Sequence, residues 1–205
     1  MMTRQQNTPP PFFLALLCLL SSGLSLPAQT ISGNVHTEAN SAVEDVEVTL
    51  TGPGVSQATL SGNNGNFTFS GLPDNQAYQV CLAKNTNPLN GVTTFDAVLL
   101  NNHIMNIELL NSPYKIIAAE TGTANQPPDL LDIYLMRALI LGVLTDLPAP
   151  SWKFIPADAV LNPVNPFPDI PLPLNCKTIN LNGNATGQDF IGVKTADLNG
   201  TAVAN

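Results

Sequence analysis

Residues 85–105 read NTNPLNGVTTFDAVLLNNHIM, and residues 112–143 read SPYKIIAAETGTANQPPDLLDIYLMRALILGV. Each stretch carries an Asn/Gly/Thr-rich loop that ends in an acid and passes at once into an apolar helix. That is the order of parts in a calcium-loop-plus-helix unit, set here twice in tandem. Such a loop places oxygen ligands at positions 1, 3, 5, 7, 9 and 12, the seventh being a backbone carbonyl. With Asp96 at position 12, Asn85 falls at 1, Asn87 at 3, Leu89 at 5, the Gly91 carbonyl at 7 and Thr93 at 9. Leu89 brings no side-chain oxygen, although Asn90 stands beside it. One carboxylate is little charge for a dication that must shed its water, so affinity is expected at or below ~10⁻⁴ to 10⁻³ M. The competing reading is that Asn85 and Asn87 make turn hydrogen bonds while Asp96 helps to cap the helix.

In the second unit Glu120 is the first candidate ligand and Asp132 takes the helix-entry place of Asp96. They stand one residue too far apart for a twelve-residue loop, and Gly122, Ala124 and Pro128 occupy places where ligands are expected. This unit reads as a lost site whose loop connects a strand to a helix, with Asp129 as an N-cap after Pro127 and Pro128. The first helix can be capped by Thr94 and carries Ala97, Leu100 and Ile104 on one stripe. The second carries Leu131, Leu135 and Leu139, with Ile140 beside them and Gly142 as its stop. Helices this short are marginal alone in water, so the two are expected to bury their stripes against each other.

Upstream, residues 30–83 form short strands at regular spacing. Val46, Val48 and Leu50 alternate with polar residues, as do Phe67 and Phe69, then Tyr78, Val80 and Leu82, which leaves Cys81 on the wetter face. Gly52-Pro53-Gly54, Gly62-Asn63-Asn64-Gly65 and Leu72-Pro73-Asp74-Asn75 supply the turns. A small antiparallel β-sandwich follows, with those apolar residues as its core. Its opening ISGNV, the strand VEVTL, the run NNGNFTFSGLP and AYQV resemble the carboxypeptidase regulatory-like (transthyretin-like) domain. That family uses the Gly65-x-Phe67-x-Phe69-x-x-Leu72-Pro73 stretch structurally, so the resemblance implies an accessory module or stalk without catalytic residues.

Residues 1–28 read as an export signal, with Arg4 before an apolar run and small residues leading to cleavage near Ala28. No later run reaches the ~20 apolar residues of a membrane span. The chain is expected to be secreted or at the cell surface. Loss of Arg4 leaves six basic against fifteen acidic residues, a net charge of −9 where the whole chain has −8. That balance argues against nucleic acid and anionic membrane as partners, both of which need clustered Lys and Arg. Cys81 and Cys176 remain after cleavage; export permits their pairing, and the sequence leaves it open.

Residues 147–205 form a proline-rich extension with short strands over 178–181 and 190–193. Its prolines exclude regular helix and central strand over 145–175, and Trp152, Phe154, Ile155 and Phe167 are expected to pack it along the helix pair. The end at residues 196–200 is abrupt and is expected of a chain cut short. The whole is an α+β chain: a leader over 1–28, a sandwich over 30–83, a loop-helix pair over 84–146, and the extension.

The runs NPLNGVTTFD-x-VLL-x-x-HI, SPYKIIAA and LD-x-x-x-x-R-x-LILG, with the tail runs SWKFIPAD…NPF and DF-x-GVK-x-x-D-x-NG, resemble a divergent dockerin type I-like module of large secreted bacterial surface proteins. The resemblance covers nearly all of the chain after its leader and departs at TGTANQPP, where the family has a ligand-bearing turn. It implies calcium as a cofactor and docking through the helices onto a cohesin-like protein or a larger surface assembly. No catalytic set is legible: His36 and His103 have no neighbouring nucleophile or metal-spaced partner, and Gly62-x-x-Gly65 lacks the lysine of a phosphate loop. The function expected is a non-enzymatic attachment module with at most one weak calcium site. The alternative is an accessory module that binds polysaccharide through the sandwich.

Overall fold

The computed structural model describes residues 28–123 and 125–204. The expected export signal therefore lies outside the described residues, save for Ala28. Five strands come from the N-terminal part: β1 Gln29–His36, β2 Glu47–Gly52, β3 Val55–Leu60, β4 Asn66–Leu72 and β5 Gln76–Ala83. Three helices follow, α1 Thr94–Ile104, α2 Pro113–Ala119 and α3 Leu130–Ile140. The extension then supplies β6 Trp152–Pro156, β7 Cys176–Leu181 and β8 Phe190–Lys194.

The strands form two four-stranded sheets, ordered β4-β1-β8-β6 and β3-β2-β5-β7. Five strands alone would leave the outer edges of β1 and β5 unpaired, an invitation to wrong pairing. The extension closes both: β8 lies parallel to β1 at Val35–Phe190, and β7 pairs antiparallel with β5. The sandwich is therefore not confined to residues 30–83, and the extension is not a separate region. Pro156 is tolerated because β6 is an edge strand.

Val46, Val48, Leu50, Phe67, Phe69, Tyr78 and Val80 are all buried between the sheets, in the phase their alternation predicts. Leu72 joins them although it stands three residues beyond Phe69. Gly71, at φ 76°, lets β4 take one extra residue opposite β1, and the bulge turns Leu72 inward. Trp152, Phe154 and Phe190 complete this core. Cys81 and Cys176 face each other across β5 and β7 and form a disulfide.

The helices cover the other side of β6 and β8. Ile155, Ile191 and Val193 point to Leu100, Ile116, Ile117, Met136 and Leu139 in a second core. Both strands are consequently buried along their whole length, and the molecule has three layers. Of the four residues expected along the helices, Ile155 and Phe167 are in this second core, whereas Trp152 and Phe154 belong to the sandwich.

Two local expectations change. The run SPYKIIAA enters no strand; it is α2, capped by Ser112 with Pro113 in the first turn. The stripe of α3 is rotated, with Ile133, Leu135, Met136 and Leu139 buried and Leu131 59 % exposed. The rotation brings Asp132 inward, where it ties down the preceding loop.

Candidate functional site

The residues singled out as metal ligands lie where the two loops meet the starts of β6 and the end of β8. The first loop leaves β5 and wraps around a C-terminal hook, residues 195–203. Asn85 Oδ1 accepts the Ser151 amide at 2.8 Å, and Ser151 Oγ donates to the Thr86 carbonyl at 2.9 Å. Asn87 sits at φ 48°, and its carbonyl accepts the Asn90 amide in a turn. Asn90 exchanges two hydrogen bonds with the backbone of Val203. The Gly91 carbonyl accepts the Thr201 hydroxyl at 3.1 Å. A Cβ at Gly91, whose φ is 76°, would stand 2.5 Å from the Ala202 nitrogen, so the hook closes only on glycine.

Asp96 is fully buried and is the centre of this loop. Its Oδ2 accepts the Thr93 amide at 2.8 Å and the Thr93 hydroxyl at 2.7 Å. Its Oδ1 accepts the amides of Leu198 at 2.8 Å and Asn199 at 3.1 Å. A carboxylate offers about four lone-pair directions, and here each meets a protein donor. Thr93 is the N-cap and Asp96 the third helical residue, so the capping reading accounts for half of these bonds. Asp197 shapes the hook itself by accepting the amides of Gly200, Thr201 and Ala202.

The second loop is closed by charge. Glu120 and Lys153 are each 4 % exposed, and Glu120 Oε2 lies 2.7 Å from Lys153 Nζ. The same ammonium donates to the carbonyls of Ile117 at 3.1 Å and Glu120 at 2.5 Å. Burial lowers the pKa of Lys153 from its ordinary value, against the pull of Glu120 and Asp132. Asp132 accepts the Thr121 amide and hydroxyl on one oxygen and the Asp129 amide on the other, while Asp129 caps α3 as its position predicts. Glu120 and Asp132 thus act through their neighbours Lys153 and Thr121.

Lys194 extends the pattern to the first loop, donating to the Pro88 carbonyl at 2.8 Å. Burial lowers its pKa to about 8, opposed by Asp197. Beside it opens a cleft of about 480 Å³ between the segment after β1, the first turn of α2 and the hook. Glu38, Tyr114, Lys115, Lys194 and Asn199 line it, and the Ser112 hydroxyl donates to Glu38 across its mouth at 2.6 Å.

These contacts test the loops against calcium. Calcium takes six to eight oxygens with free lone pairs. As folded, Asp96 has donors on both oxygens, Asn85 Oδ1 and the Gly91 carbonyl each accept one, and Glu120 Oε2 receives an ammonium, so a cation would have to share or displace these partners. No group of three or more His, Cys, Asp or Glu side chains is arranged to hold a metal among the described residues. Nor, among them, is any buried side-chain nitrogen or oxygen without a partner. His36 Nδ1 lies 3.0 Å from the Thr37 carbonyl, and His103 Nδ1 accepts the Leu110 amide.

Ser151, Lys153, Lys194 and Asp197 stand in the tail runs SWKFIPAD and DF-x-GVK-x-x-D-x-NG but were not singled out as site residues. Their signal is compositional: two of only seven basic residues sit in the otherwise apolar runs WKFIP and FIGVK. A lysine in a fully buried strand must find acceptors. Comparison with known proteins returns no matching family model, no matching curated protein and no matching solved structure.

Proposed function

We propose that this chain is a non-enzymatic, exported attachment module whose helical layer, dockerin-like in its sequence, docks onto a protein partner. The observation that supports this reading is the outer surface of the two long helices. Helices α1 and α3 pack on each other, yet each keeps a second apolar stripe in solvent. On α1 it comprises Phe95 and Val98, continued by Met105; on α3 it comprises Leu130, Leu131 and Tyr134, continued by Leu141. Their spacing of three and four residues puts each set on one side of its helix. Exposed apolar groups in a row, aromatic residues among them, are what a helix offers to a partner's groove. A cohesin-like domain of a surface assembly is the partner proposed.

Calcium enters this proposal only at the first loop and only weakly, since a cation there must displace the amides held by Asp96. The second reading is an accessory carbohydrate-binding module. Phe67, Phe69 and Tyr78 are buried, so the strands offer no aromatic platform from these residues. The polar cleft beside Lys194 is the observation that favours this second reading.

Titration of the full chain against isolated cohesin-like domains tests the docking reading. The paired variant Phe95→Asp/Tyr134→Asp should abolish binding and leave the thermal melt nearly unchanged, because both side chains already face water. Binding that survives the pair would overturn it. Retardation by soluble polysaccharide, lost on Lys194→Met, would move the conclusion to the second reading.

A further inference from the structure

We infer that the Lys153 ammonium is the resident cation of the second loop, doing structurally what a bound divalent ion does in a calcium-loop-plus-helix unit. The inference rests on reading residues 120–132 as a degenerate loop of that kind, but not on the docking partner. Three features support it.

The first is coordination. An ammonium has three N–H donors, and each of the three here has its own oxygen: the carbonyls of Ile117 and Glu120, and Glu120 Oε2. The carboxylate that the sequence marks as the loop's first ligand is thus turned onto a cation. That cation comes from β6 and not from solvent.

The second is the origin of the two carbonyls. Ile117 lies in the last turn of α2 and Glu120 is its C-cap, where backbone oxygens have no helical partner and a cation is favoured. The Ala118 carbonyl is taken by the Ala196 amide of the hook. The end of α2 is closed by groups carried on the sandwich side of the molecule. A loop that bound a free ion would close its own helix.

The third is burial. With Lys153 and Glu120 both out of water, removing either leaves an uncompensated charge. Exchange of the ammonium for calcium would require the lysine to leave its three acceptors and find none elsewhere in an apolar layer. The second loop is therefore closed to exogenous cations, and its fold depends on β6 being in place.

A thermal double-mutant cycle on the full chain tests this. Glu120→Gln and Lys153→Met alone should each lower the melting temperature by roughly 10 °C, whereas the double variant should recover more than half of the loss. Strict additivity of the two losses would overturn the inference. In Lys153→Ala the buried carboxylates lose their cation, so millimolar calcium chloride should raise the melt by several degrees more than in the unsubstituted chain. An equal calcium response in both would also overturn it. If Lys153→Ala does not fold, the cycle decides alone, since Glu120→Gln and Lys153→Met keep the shape of the site.

Discussion

Around Asp96 the first loop is gathered by neutral donors, four of them, two from its own cap and two from the hook. Around Glu120 the second loop is gathered by one full charge on Lys153. The two loops share a sequence plan, yet their lability should differ. Amide donors each contribute about 1 kcal/mol and do not titrate, so the first loop loses strength in steps. The ammonium is a single group with three acceptors, so the second loop is either closed or not. Each loop also takes donors from far along the chain, the Leu198 and Asn199 amides at Asp96 and the Lys153 ammonium at Glu120.

The largest way to break the comparison is Asp96→Ala. It leaves the amides of Thr93, Leu198 and Asn199 and one hydroxyl without acceptors, and should cost about 3–5 kcal/mol in urea unfolding. Hydrogen exchange should accelerate at Leu198 and Asn199 but not at Thr121, whose acceptor is Asp132. Equal acceleration at all three would mean that the loops form one unit. Next comes Gly91→Ala, expected to cost about 2 kcal/mol: a left-handed alanine, plus a Cβ driven into the Ala202 backbone. Limited proteolysis within residues 195–204 should then quicken; an unchanged rate would show that the hook is not closed on Gly91.

Calcium sharpens the comparison more gently. At ten times its dissociation constant a ligand stabilises by about 1.4 kcal/mol, and the first loop should show no more than this. Asp96→Ala should remove the difference between melts in calcium and in chelator, whereas Glu120→Ala should leave it. The reverse pattern would assign calcium to the wrong loop. The smallest effect concerns pH. Lys194 has a pKa of about 8 when folded against 10.5 ordinarily, so the unfolded chain holds more protons across that window. Stability should therefore rise with pH from about 8 upward, by about 1 kcal/mol between pH 8 and 9. Lys84 and Lys153 are lowered in the same direction. The part owed to Lys194 is the slope that disappears in Lys194→Met, and an unaltered slope there would contradict it.

The sandwich core was legible because alternation is local: Val48 and Leu50, or Phe67 and Phe69, declare their face within five residues. The N-caps of α1 and α3 were legible to within a residue for the same reason, since Thr93 with Asp96 and Asp129 with Asp132 are short-range pairs. What could not be read was pairing across distance. Nothing near Phe190 indicates that it lies beside Val35, and nothing near Cys81 that Cys176 is opposite. Helix α2 escaped because Ile116 to Ala119 is an unbroken apolar run, too short to display a period. Its start signal, Ser112 before Pro113, is present in the sequence. The expected stripe of α3 was off at Leu131, which is exposed, whereas Asp132, Ile133 and Met136 are buried. The sequence offered both a ligand reading and a capping reading for the acceptors Asn85, Asn87 and Asp96. The donors that meet the acceptors of the two loops, Ser151, Lys153 and the amides of the hook, stand far away in sequence, in the tail runs.

The Cys81–Cys176 bond joins residues 95 apart in sequence, and all three helices lie between them. Tension applied along the chain from residue 28 to residue 204 would cross that bond directly, so the enclosed segment would remain slack. At 3.3–3.6 Å per extended residue, roughly 300 Å of contour length would be withheld from stretching. Under oxidising conditions the load would fall on the strands outside the ring and on the hook, whose bonds to Asn90, Gly91 and Asp96 would be lost. The backbone between the two cysteines would not be extended until the bond is reduced.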